Sequence, residues 1–375
     1  MVFYADTEML QHLLIETIRD KAERNTVINM KKILVVLTGG TIGSQVENEI
    51  INVSKSSPYR LISMYEELYG KEEFEIINPL NILSENMTPD TLLVLLKALD
   101  AVHYEDYRGI IVTHGSDTLS YTSAFIGLLF HHVPIPVILV ASNYPLLQEG
   151  SNGLDNFAKA VEFIQQKAVR GVFTIYRDEA GISQVYLATR IMEADPFRDQ
   201  FRDFSGQPYG RMEKGMFIRN TGRKQPTVEE VEANNKREIE VPDSFLRDIM
   251  IVHPYPGMDY SRFCFNEETR PSAVLHILYH SATACLEGEK HSFLNFAERC
   301  RKQSIELYAV SYKRIEGNRY ATGDELLKAG VIPMLNISPE AAYAKLLLLY
   351  NGKREVSSKR VQQNIYFESA DVRNM

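Results

Sequence analysis

Apolar and polar positions come in alternating blocks from residue 31 to about residue 190. Short continuous apolar runs bounded by turn residues predict strands over 32–37, 109–113, 135–141, 171–176 and 184–189. Between them, apolar residues spaced three and four apart predict helices over 60–69, 89–100, 118–131 and 154–168. The helix at 89 has a clear start signal, with Thr88 as N-cap and Pro89 at the first helical position. Strands alternating with helices build a mostly parallel sheet covered on both faces.

The rhythm breaks at 205–247, where Ser205-Gly206-Gln207-Pro208-Tyr209-Gly210 is turn chemistry and 227–240 is charged and poor in apolar residues. This stretch reads as an interdomain linker, with a long surface excursion inside one domain as the alternative. Strands are expected again over 249–253, 273–279 and 305–312, and helices over 292–302, 323–329 and 339–350. The last helix has Ser338 as cap, Pro339 at its first position and Gly352 past its end. The expected fold is α/β: a large parallel-sheet N-terminal domain with helices on both faces, plus a smaller α/β C-terminal domain. Its parts are an N-terminal helical extension over 1–30, a large domain over 31–206, a linker over 207–247 and a small domain over 248–375.

A length of 375 residues suits two domains, and 45% hydrophobic with 24% charged residues is ordinary for a globular chain. The net charge of -8 speaks against nucleic acid and against anionic membrane surfaces as partners. Three cysteines, Cys264, Cys285 and Cys300, form no Cys-x-x-Cys pair, which favours a reducing compartment; the cytoplasm is the expected location. Near the N-terminus, Met9, Leu10, Leu13, Leu14 and Ile15 are followed by Glu16, Arg19, Asp20 and Lys21, which suits an amphipathic helix and not a secretory signal. No apolar run reaches the roughly 18 residues a membrane span needs.

Candidate chemistry sits where strands end. The run Lys32 to Leu37 stops at Thr38-Gly39-Gly40-Thr41, and the run Gly109 to Val112 stops at Thr113-His114-Gly115-Ser116-Asp117-Thr118. In an open parallel sheet the carboxyl edge of the strands is where ligands bind. Thr41 and Ser116 offer hydroxyls, and an activated hydroxyl can attack an amide carbonyl. Backbone N–H groups of the Gly39–Thr41 or Ser116 turns are candidate oxyanion donors. Asp117, at a helix start, could hold a substrate ammonium or simply cap its helix. Ser84-Glu85-Asn86-Met87-Thr88-Pro89 precedes another helix, whose free N–H groups could receive a carboxylate; taken alone it reads as a capped loop. Neither Gly-x-Gly-x-x-Gly nor a P-loop pattern fits the Gly39-Gly40 turn, which leaves a plain tight turn as the bland alternative. His114 reads as structural.

Together these segments resemble the bacterial-type L-asparaginase family, including its glutaminase-asparaginase and transamidosome-related members, over about residues 31–350. Thr38-Gly39-Gly40-Thr41-Ile42 and His114-Gly115-Ser116-Asp117-Thr118 look like its two signatures. The resemblance implies hydrolysis of the side-chain amide of asparagine or glutamine, with release of ammonia and without metal or organic cofactor. It implies Thr41 as nucleophile, Ser116 in place of a second catalytic threonine, Asp117 on the substrate amino group and Ser84 on its carboxylate. Glu85 takes the place of a glutamine or glutamate of the family, with Gly40 and Gly115 lining the substrate. It also implies an oligomer, a homodimer or homotetramer, because family sites are completed across a subunit interface.

The sequence departs from that pattern in three places. Alignment on Ala194-Asp195-Pro196-Phe197 puts Arg190 where the family has a lysine. Arginine stays charged and cannot serve as a base, though it can stabilise an oxyanion or grip a carboxylate. Isoleucine stands near the expected place of the loop tyrosine, in Glu47-Asn48-Glu49-Ile50-Ile51-Asn52-Val53. The turn that supplies an asparagine to the neighbouring subunit reads Tyr279-His280-Ser281-Ala282-Thr283-Ala284-Cys285. Three functions are therefore expected in order: an asparaginase-type amidohydrolase; a catalytically weakened amino-acid-binding sensor or regulatory subunit on the same fold; and a domain that acts only within a larger complex, delivering ammonia or recognising a protein-borne or RNA-borne amide. His276 and His280 are four apart in a strand-like stretch, which is poor metal spacing.

Overall fold

A computed structural model describes residues 31–40, 44–47, 50–53, 57–312 and 321–370. The expected helical extension over 1–30 and the candidate nucleophile Thr41 lie outside the described residues. Eight strands form the larger sheet, in the order Met216–Arg219, Gly210–Glu213, Ser183–Leu187, Val172–Arg177, Val137–Val140, Tyr107–Thr113, Lys32–Leu37, Phe74–Ile77. The five from Val172–Arg177 to Phe74–Ile77 are parallel, and the other three continue antiparallel. Where helices bury both faces the inner parallel strands are apolar; Ile33 to Val36 and Ile110 to Val112 are nearly inaccessible.

Strand order fixes where a ligand can enter. From Lys32–Leu37 the chain crosses to Phe74–Ile77 on one side, then returns to Tyr107–Thr113 on the other. The topological switch point lies between Lys32–Leu37 and Tyr107–Thr113, the place where open α/β sheets open a crevice at their carboxyl edge. Leu37 pairs with Thr113, so both strands end at the same level.

The helix expected at 89 spans Pro89–Asp100, with Thr88 and Thr91 forming a reciprocal capping box. Phe74–Ile77 was not expected as a strand; its residues are only half-buried and follow a charged stretch, so no continuous apolar run marks it. The expected linker 207–247 is corrected in its first part. Gly210–Glu213 and Met216–Arg219 form a hairpin that extends the larger sheet. Charged Arg211, Glu213 and Lys214 hide that hairpin from a pattern search.

A second sheet of four parallel strands runs in chain order through Ile249–Val252, Ala273–Ile277, Glu306–Tyr312 and Ile332–Leu335. It has its own core around Phe293, Phe296 and Leu326. The helix Pro339–Tyr350 has Ser338 as N-cap, the hydroxyl accepting from the Ala341 amide at 3.1 Å. Tyr343 on this helix meets Tyr121 and Phe125 edge-on, joining it to the helix Leu119–Phe130 of the larger domain. The C-terminal stretch 363–370 returns to that domain. Tyr366, fully buried, receives the Val172 amide on its hydroxyl at 2.8 Å. Glu368 pairs with Lys345 at 2.8 Å, both buried, and accepts the amides of Ile365 and Tyr366. Lys345 and those amides hold the Glu368 carboxyl below its usual range despite the burial.

Among the described residues no helix is long and apolar enough to cross a membrane, and no cluster of His, Cys, Asp and Glu has metal-binding geometry. His276 lies on a strand, as expected, and is buried with its Nε2 2.8 Å from the Tyr260 hydroxyl.

Candidate active site

Three segments meet at the switch point. The Thr38 hydroxyl donates to the Thr113 carbonyl at 2.8 Å, tying the ends of the two strands together. Gly39 and Gly40 follow with φ of +97° and +70°, a backbone path that suits glycine. The Gly40 amide donates to the Ile82 carbonyl at 2.8 Å, and the Ile82 amide donates to the Thr38 carbonyl at 3.0 Å. The Gly40 N–H is thereby engaged within the fold, which removes it from the expected oxyanion donors. A Cβ on Gly40 would stand 2.4 Å from the Gly115 nitrogen, so the two signature turns touch backbone to backbone. A Cβ on Gly115 would stand 2.4 Å from the Ser84 Oγ, which brings in the third segment.

Ser84 opens the short 3-10 helix Ser84–Asn86 and is 4% exposed. Its hydroxyl donates to Asp117 Oδ2 at 3.2 Å. The Thr118 hydroxyl donates to the Ser84 carbonyl at 2.9 Å. Thr118 holds the N-cap position of the helix Leu119–Phe130 but makes no side-chain capping bond. Asp117 is exposed and Ser116 half-buried, so a carboxylate and a hydroxyl border the crevice from the same turn. Glu85, next to Ser84, is exposed as well. Sequence reading missed the tasks of Thr118 and Ile82. Thr118 stands inside the second signature, whereas Ile82 acts through its backbone and carries no signal.

His114 is fully buried, and its Nδ1 lies 2.8 Å from the Gly115 carbonyl, the geometry of an Nδ1–H donor. Burial pushes its pKa down to about 4, so it stays neutral and holds the turn, in keeping with a structural reading. Arg190 is 2% exposed. Its Nε donates to the Phe367 carbonyl at 2.7 Å and its Nη1 to the Lys224 carbonyl at 2.8 Å, with the Phe204 ring 6.0 Å from the guanidinium carbon. The residue that stands at the family's lysine position thus anchors the C-terminal stretch. Asp203, also buried, accepts from the Ser205 amide and hydroxyl at 2.8 and 2.5 Å.

With this geometry in view, comparison with known proteins is specific. Residues 32–223 match the family model described as Asparaginase, N-terminal. Among curated proteins, the chain is similar to the D subunit of the glutamyl-tRNA(Gln) amidotransferase of Aeropyrum pernix, 25% identical over 361 residues, covering 91% of this chain and 80% of that protein. The corresponding protein of Thermoplasma volcanium is 27% identical over 342 residues, covering 88% of this chain and 80% of its own length. Among solved structures, the thermostable L-asparaginase from Thermococcus kodakarensis superposes with a TM-score of 0.71 at 21% identity, covering 91% of this chain and 99% of that one. That likeness carries the fold.

Proposed function

The chain belongs to the asparaginase family, and from that premise we propose that it is an amidohydrolase of the asparaginase type. Its substrate is an amino acid with a side-chain amide, asparagine or glutamine. Thr41 attacks the amide carbon and forms an acyl-enzyme while ammonia leaves; water then releases the acid. Asp117 holds the substrate ammonium, Ser84 its carboxylate, and Ser116 assists from the facing turn, with Glu85 at the rim. One observation carries this reading: Ser84 and Asp117, 33 residues apart, meet at 3.2 Å beside the Gly40–Gly115 contact. A carboxylate acceptor and a hydroxyl donor at that spacing match the two poles of an amino-acid head group. A homodimer or homotetramer in the cytoplasm is the proposed working form, with no cofactor.

A specific observation favours a second reading, binding without turnover. Two N–H groups of Arg190 are bound to backbone carbonyls. An arginine held in this way cannot relay a proton. Loss of a general base typically lowers a rate by about 10²–10⁴. Ammonia release from asparagine and glutamine, measured for the natural protein and for Thr41→Ala, tests the first reading. Release that depends on Thr41 supports hydrolysis. Calorimetric binding of aspartate with equal, negligible release in both proteins supports the sensor.

A further inference from the structure

A cavity of about 450 Å³ lies in the smaller domain, lined in part by Tyr279 and Cys285 from the turn that the family resemblance directs towards a neighbouring subunit. Its lining comes from the segments that follow the adjacent parallel strands Ile249–Val252 and Ala273–Ile277, at the carboxyl edge of their sheet. Tyr255, Tyr260 and Tyr279 supply its rings, and Cys285, Glu287 and His291 its polar groups.

The floor is rigid. Tyr260 is buried, with its hydroxyl 2.8 Å from His276 Nε2 and its ring stacked 5.1 Å from Phe296. The other two tyrosines are open, with Tyr255 56% and Tyr279 36% exposed. Two aromatic rings left to water around a hollow gain by covering each other with a third flat ring. Charge narrows the choice further. Among the described residues that line the cavity there is no lysine or arginine, and Glu287 is the acidic one. A phosphate or carboxylate would find no counter-charge there, whereas N–H donors would find an acceptor. His291 Nδ1 lies 2.8 Å from the Met258 carbonyl, so the ring is fixed and its Nε2 is left as an acceptor.

We propose that this cavity binds a planar, uncharged heteroaromatic ring of the nucleobase type, stacked between Tyr255 and Tyr279 with its amino or imino edge on Glu287 and His291. Any sugar or phosphate attached to the ring stays outside the cavity. The site shares no residue with the head-group pair of the same chain, so its test is read separately from turnover.

Titration of the full chain with adenosine, guanosine and ribose, followed by calorimetry or ligand-observed NMR, tests it without turnover. The nucleosides are expected to bind at millimolar concentration and ribose is not. Tyr255→Ala and Tyr279→Ala are each expected to weaken binding about tenfold, roughly 1.4 kcal/mol. Glu287→Gln is expected to weaken the nucleoside whose edge it contacts more than the other one. Melting curves show whether each variant is folded, and the exposed Tyr255 gives a variant with little packing to lose. Absence of nucleoside binding, or binding untouched by the two tyrosine changes together in a folded variant, overturns the proposal. Neither result bears on whether Thr41 releases ammonia.

Discussion

Arg190 Nε donates to the carbonyl of Phe367 at 2.7 Å across 177 residues of chain. Its neighbour Thr189 donates to the Tyr366 carbonyl at 2.5 Å, so two consecutive residues past the strand Ser183–Leu187 grip the C-terminal stretch. The guanidinium suits this task because its N–H groups point in fixed, divergent directions, here to Phe367 and Lys224. A lysine at 190 would bring one compact ammonium to two separated carbonyls. Arg190→Lys is therefore expected to lose about 1.5–3 kcal/mol of stability, the usual worth of a charged hydrogen bond left unmade. Urea unfolding of both proteins measures it, and coincident midpoints would remove the anchoring role.

The head-group pair makes a different prediction, because its loss is felt in binding and not in folding. Asp117 is exposed and carries no core packing. Asp117→Asn is expected to weaken aspartate binding by about 10–100-fold, the range of a charge-assisted contact, while the melting temperature stays within a degree or two. Ser84→Ala should act in the same direction and also release the Asp117 carboxylate from its partner at 3.2 Å. Calorimetry with aspartate reads both. Unaltered affinity in the Asp117 variant would leave the head group without its ammonium site.

Much of this was legible in the sequence, for a local reason. Ile33 to Leu37 and Gly109 to Val112 are buried on both faces, so these positions show as continuous apolar runs, and their turn residues follow directly. Thr88, Pro89 and Ser338 marked helix starts because capping is a contact between near neighbours. What escaped depends on distant partners or on backbone atoms. Phe74–Ile77 is half-buried and charged at Glu75, so its membership of the sheet comes from pairing with Lys32–Leu37 and not from its own pattern. The bond from Arg190 ends on the carbonyl of Phe367, and every residue has a carbonyl, so nothing in the chain announces it.

The contact between the two signature turns separates folding from binding. At Gly40 an added Cβ would meet the Gly115 nitrogen at 2.4 Å, and the backbone there has φ of +70°. Neither obstacle can move cheaply, so Gly40→Ala is expected to cost about 2 kcal/mol or more. At Gly115 the Cβ would instead meet the Ser84 side chain, at 2.4 Å from Oγ. That side chain can turn away, at the cost of its bond to Asp117. Gly115→Ala is expected to melt closer to the natural protein but to bind aspartate as poorly as Ser84→Ala. Equal melting losses in the two glycine variants would contradict this division.

Asp203 gives the last prediction, in pH. Burial pushes its carboxyl up from 3.8 to about 6, against the opposing pull of the Ser205 hydroxyl and the Arg190 charge. Oδ1 is satisfied by Ser205, while Oδ2 is buried without a hydrogen-bond partner among the described residues. A carboxyl whose folded pKa lies above its unfolded one favours folding when protonated. Its contribution is complete below about pH 3.8 and is lost as the pH rises through about 6. Each unit is worth about 1.4 kcal/mol, so the whole change is about 3 kcal/mol. Asp203→Asn keeps an acceptor oxygen for Ser205 and has no proton to lose. The variant is expected to be about 2–3 kcal/mol more stable than the natural protein at pH 7.5, with the advantage shrinking towards pH 4. Urea unfolding across that range measures it; parallel curves for the two proteins would mean that Asp203 titrates alike in the folded and unfolded chain.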